Sequence, residues 1–156
     1  MKTEPIFFPN QAKFRIWLTN NSKIETELLI GFYKVTCGKL SMSWSESVDQ
    51  ALCFGWVDGV RKSIDIEAYT IRFTPRKKSS IWSAVNIEKV ERLIKTNQMK
   101  DAGLIAFSFR KESRCKIYSY EKALGILAGE FETHFKQNKI AWEFFEKQAP
   151  SYKKKL

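Results

Sequence analysis

Between Ala68 and Thr74 the chain alternates: Tyr69, Ile71 and Phe73 point one way and Thr70, Arg72 and Thr74 the other, until Pro75 closes the run. A period of two is that of a strand with one buried face, and proline cannot donate to a sheet ladder. From Ser83 the period turns helical, with Ile87, Val90 and Ile94 on one stripe and Glu88–Arg92 and Glu91–Lys95 at favourable spacing. A chain that changes period over so short a distance must pack helices against a sheet, which is the α+β class.

The remaining elements follow from local signals. Asn10 caps a first helix to about Asn20, with Phe14, Trp17 and Leu18 on its apolar stripe and Lys13 and Arg15 off it. Ile24 to Tyr33 reads as a strand with Leu28, Ile30 and Phe32 facing the core, followed by a turn at Cys37-Gly38-Lys39. Ser43 and Glu46 form a capping-box pattern opening a helix that buries Val48, Ala51 and Leu52 and stops at Gly55. Trp56 to Ile66 reads as another strand, and Met99 to Phe109 as a short helix. Tyr120 to Lys147 is helical in pattern, though interrupted by Gly125 and Gly129. Arg110 to Lys116 is polar and basic and marks a loop or boundary. The expected architecture is a small mixed or antiparallel sheet packed with helices over residues 1–110, followed by a mainly helical subregion over residues 111–156.

With 156 residues, 44% hydrophobic and 14% aromatic, the chain has ample material for a core and suits one domain with a helical appendage. No apolar run approaches the roughly 20 residues of a membrane-spanning helix. The opening Met1 to Pro5 does not fit a secretory signal, so a cytoplasmic protein without membrane insertion is expected. Twenty-seven Lys and Arg against 17 Asp and Glu give a net charge of +10. Such an excess draws nucleic acid, phosphorylated small molecules or acidic lipid surfaces. Arg76-Lys77-Lys78 and Lys153-Lys154-Lys155 concentrate it, the latter in a solvated terminus. Cys37, Cys53 and Cys115 make an odd count without a CxxC pair, so reduced thiols are expected and no metal. His134 is the single histidine, which excludes a histidine-rich metal cluster. A Cys–His or Ser–His–Asp device would have to use it, and the spacing gives that no support. No GxxxxGK[ST] or GxGxxG pattern occurs, and no cofactor is implied.

The densest information lies in Cys53 to Lys62 and Tyr69 to Asn86. Gly55 and Gly59 bracket Trp56-Val57-Asp58, so the backbone there turns or is closely approached. Asp58, among apolar neighbours, needs a partner if buried, which Arg61 or Arg72 would supply. Arg72 and Arg76, with Ser80, Ser83 and Asn86 at a helix start, would together form a pocket for phosphate or carboxylate. The competing structural reading makes Ser83 only a cap, Trp56 and Trp82 core, and Arg72 the partner of Asp58.

The segments ALCFGWVDG, YTIRFTPRKKSSIWSAVN and AGLIAF resemble the YdeI/OmpD-associated, or bacteriocin-protection, family, and the likeness runs from FRIWL at Phe14 to the C-terminus. The resemblance implies a link to bacteriocin or antimicrobial-peptide tolerance and envelope stress, and an indirect association with an outer-membrane porin. It brings no catalytic residues, only the motif positions Gly55, Trp56, Asp58, Gly59, Arg61, Lys62, Arg72, Arg76, Trp82, Ser83 and Asn86. It also implies a further helix after Pro150-Ser151, which this chain only begins. The expected function is a non-enzymatic binding domain with a small anionic ligand or an acidic protein partner. The alternatives are a nucleic-acid-binding module and an enzyme using Asp58 on a small anionic substrate.

Overall fold

The computed structural model describes residues 3–111 and 136–147. The chain separates into two compact units, Met1–Cys115 and Lys116–Leu156. In the first, Asn10 accepts the Lys13 N–H at 3.1 Å and opens α1 (Gln11–Asn21), whose Phe14 and Leu18 are buried. β1 (Ile6–Phe7) pairs parallel with β2 (Leu28–Tyr33), which pairs antiparallel with β4 (Ala68–Pro75), which pairs antiparallel with β3 (Trp56–Ser63). The sheet is therefore mixed, in the order β1-β2-β4-β3. Register places Leu28 opposite Phe73, Ile30 opposite Ile71 and Phe32 opposite Tyr69. The apolar sets expected of the two strands thus share one face of the sheet.

Ser43 caps α2 (Trp44–Cys53) with the full reciprocal box to Glu46. This helix is the hub of the unit, touching β3, α1, α3 (Ala84–Lys95) and α4 (Asp101–Ser108). Gly55 ends it in the left-handed region at φ +74°, where a side chain would also meet the Ala102 carbonyl oxygen at 2.7 Å. Both the turn and the close approach require glycine. Trp56 and Trp82 are buried, at 1% and 2% exposure, as expected of core residues.

The structure refines or corrects several readings of the sequence. Arg15, off the apolar stripe, is half-buried rather than free in solvent: its guanidinium donates to Gln50 Oε1 and to the Gln98 carbonyl, both at 2.8 Å. Buried Gln50 is then completed by donating to Gln11 at 2.9 Å. In α3 the buried stripe runs through Val90 and Leu93, leaving Ile94 exposed, so the face turned to the core is centred on Val90 and Leu93. Arg92 and Lys89 both reach Asp49 of α2, at 2.8 and 2.7 Å. Arg92 is thereby committed across the helix pair, not to Glu88. The strand expected at Ile24 begins only at Leu28, and that expected to end at Ile66 stops at Ser63.

In the second unit, α5 (Lys139–Glu146) is helical, within the region whose pattern indicated helix. Cys115, Gly125, Gly129, His134, Pro150-Ser151 and the terminal lysines lie outside the described residues. Among the described residues no helix is long and apolar enough to cross a membrane.

Candidate anion-binding site

Of the residues expected to form a pocket, Arg72 and Asp58 have other partners. Arg72 is exposed on the open face of β4 and pairs with Glu27, not with Asp58. Asp58 is half-buried and accepts the Trp44 indole N–H at 3.1 Å. Register explains the correction: Asp58 lies opposite Phe73, so Arg72, one residue away, points to the other side of the sheet. Arg61 lies over the Tyr69 ring, 3.6 Å from its centroid. A bulge between Asp58 and Arg61 sets these directions, and at Gly59 a Cβ would stand 3.0 Å from the Arg72 carbonyl oxygen. Ser83 is buried and its hydroxyl accepts the Asn86 N–H at 3.1 Å, which is the geometry of a cap. Trp56 donates to the Ser22 carbonyl at 3.4 Å and meets Trp17 edge-on. Most of the conspicuous GWVDG segment is therefore architecture.

Arg76 remains, and it belongs to a different cluster. Its N–H donates to the Gly55 carbonyl at 2.8 Å, and its guanidinium donates to the Ile81 carbonyl at 3.1 Å while lying 3.8 Å above the Trp82 ring. Trp82 meets Phe107 of α4 edge-on at 5.2 Å, and Arg110 covers the Phe107 ring at 3.9 Å. Beside this stack, Lys78 lies 4.7 Å from the Phe109 ring centroid. Cations and rings alternate through the cluster, each ring giving a guanidinium or ammonium group a favourable face.

Next to Lys78 a cavity of about 250 Å³ is lined by Lys78, Ser79, Ser80, Phe109 and Lys111. Ser80 holds the loop in shape, its N–H and hydroxyl both donating to the Lys77 carbonyl, at 3.0 and 2.7 Å. Two lysines thus line a concavity with an aromatic wall, and among the described residues no carboxylate contributes to it. A larger cavity of about 500 Å³ involves Lys23 and Lys100 but also Asp101, whose charge opposes an anion. The smaller cavity is the better anion site.

Sequence reading found the 76–80 half of this site through its basic run, and missed Phe107, Phe109, Arg110 and Lys111. Their signal was the closeness of two aromatic and two basic residues in Phe107-Ser108-Phe109-Arg110-Lys111. Nothing in one sequence says that α4 ends beside the loop after β4.

Fold and cluster together define a basic α+β domain whose cations are organised by aromatic rings. Residues 6–106, well over half of the chain, match the model of a family described as a domain of unknown function, DUF8412, and the chain belongs to that family. No curated protein and no solved structure matches it.

Proposed function

We propose that this protein is a non-enzymatic cytoplasmic binding domain for a phosphate-bearing anion, held between Lys78 and Lys111. The observation that carries this is the concavity whose described lining brings together Lys78, Lys111, Phe109 and two serines, with no acid among the described lining residues. Two cations at one open site favour a multiply charged anion over chloride, and the attraction is screened by salt. The likeness of the ALCFGWVDG and YTIRFTPRKKSSIWSAVN segments to the YdeI/OmpD-associated family supports placing such binding within bacteriocin tolerance or envelope stress.

A second reading has its own support. Phe109 is a partly exposed ring beside Lys78, the pairing on which a base stacks while its phosphate meets a cation. A single-stranded nucleic acid would then be the ligand, and an oligonucleotide would bind far more tightly than inorganic phosphate, with a steep dependence on salt. The enzymatic alternative gains nothing, since Asp58 is occupied by Trp44 and does not line this cavity.

The test is the melting temperature of the full chain titrated with inorganic phosphate against chloride at matched ionic strength. A ligand of the folded state at a hundredfold its dissociation constant adds about 2.7 kcal/mol of stability. A saturable, phosphate-specific rise is expected in the parent and in Arg72→Gln, and its loss in Lys78→Gln/Lys111→Gln. An undiminished rise in the double variant would remove the site from this cavity.

A further inference from the structure

At one end of the sheet two loops lie side by side. The Lys34 N–H donates to the Glu67 carbonyl at 2.7 Å, and its ammonium group donates to the Asp65 and Ile66 carbonyls at 3.2 and 2.9 Å. Lys39 pairs with Glu67 across the same junction and lies over the Tyr33 ring. Contacts of this kind fix the segment after β2 against the turn between β3 and β4. Both loops then expose aliphatic side chains: Val35 at 98%, Leu40 at 80%, Ile66 at 87% and Ile64 at 47%. Scattered exposed aliphatics are ordinary, but four on two tethered loops at one end of a sheet are a surface with a use.

The chemistry selects its occupant. Val35 and Leu40 each follow a lysine in sequence, and Arg61 and Lys62 lead into the turn. Asp65 accepts the Glu67 and Ala68 N–H groups at 2.7 and 2.8 Å, and Glu67 pairs with Lys39. Lys34, Arg61 and Lys62 then stand against Asp65, and the two loops keep a positive balance. Protein hot spots favour Trp, Tyr and Arg, whereas these protruding residues are aliphatic, with cations close behind them. Aliphatic tips backed by Lys and Arg suit a surface that is anionic outside and hydrocarbon just beneath. We propose that this end of the sheet docks on the surface of an anionic lipid bilayer, with Val35, Leu40 and Ile66 entering the headgroup region and no segment spanning it. The inference is independent of the phosphate site, which uses other residues.

Vesicle co-sedimentation tests it with the full chain. Vesicles of phosphatidylcholine alone are compared with vesicles containing about one third phosphatidylglycerol, which supplies the anionic surface. The parent should bind only the anionic vesicles. Val35→Ser/Ile66→Ser, which leaves the charge unchanged, should weaken partitioning about tenfold or more, since each aliphatic side chain withheld from hydrocarbon costs a large factor. Its unchanged melting temperature confirms the fold. Lys78→Gln/Lys111→Gln, which disables the proposed phosphate site, should keep most of the vesicle binding and its sensitivity to the serine pair. Overturning results are no binding by the parent, parent-like binding by the serine variant, or binding that vanishes only with Lys78 and Lys111. A concentration-dependent dimer abolished by the serine pair would likewise overturn it, assigning the tip to a second copy of the chain.

Discussion

Burial pushes the Cys53 thiol above its ordinary value, with Arg15 nearby pulling weakly the other way. The sign for stability follows directly. Folded protein holds the Cys53 proton after the unfolded chain has released it, so this contribution is intact below about pH 9 and is lost as pH rises beyond. Denaturant unfolding should therefore show the parent losing stability more steeply above pH 9 than Cys53→Ala, whose absolute stability is lower because a core side chain is truncated. Equal slopes would mean that the thiol is not shielded. Not every residue role was legible in this way. Burial of Trp56, Trp82, Phe14 and Leu18 could be read from period and neighbours, because large apolar side chains have few other places to go. Partner choice could not be read. Arg72 pairs with Glu27, and Asp58 with Trp44, because strand register and a bulge decide which side chains meet.

Elements were legible where the signal is local. Capping by Asn10, Ser43 and Ser83, the alternation of β4 and the stop at Gly55 each depend on a few consecutive residues, and each stands in the structure. How elements meet depends on pairs distant in sequence. The seat of α4 on the end of α2 is the sharpest case: the Lys100 N–H donates to the Cys53 carbonyl at 3.0 Å, and Gly103 is buried against the same turn. A Cβ at Gly103 would collide with the Cys53 carbonyl and stand 2.6 Å from that of Leu52. Backbone cannot step aside as a flexible side chain does. Gly103→Ala should cost about 1–3 kcal/mol by overpacking, although alanine is otherwise the better helix former. Gly38→Ala, with open space but φ +69°, serves as the contrast, paying only for backbone strain. A Gly103→Ala protein as stable as the parent would show that α4 does not rest on α2 at this point. Phosphate response in that variant also reports on the site, since the end of α4 supplies the wall at Phe109.

For the whole molecule, the core is the quantity that decides what folds alone. Its buried apolar residues run from Phe8 to Phe107, drawing on β2, β3, β4 and the helices α1 to α4, and the compact unit ends at Cys115. A chain of about this length buries more than half of the surface its unfolded form exposes, which suffices for an autonomous domain. Every described residue lining the phosphate cavity, from Lys78 to Lys111, lies within it, as do the aliphatic tips. A protein ending at Cys115 is therefore expected to keep a folded far-ultraviolet circular dichroism spectrum and one cooperative thermal transition. It should also keep the phosphate-specific rise in melting temperature. Loss of the cooperative transition would mean that the core requires residues 116–156 for its stability. A cooperative fragment without the phosphate response would place an essential part of the site in those residues, since the described lining side chains are all retained.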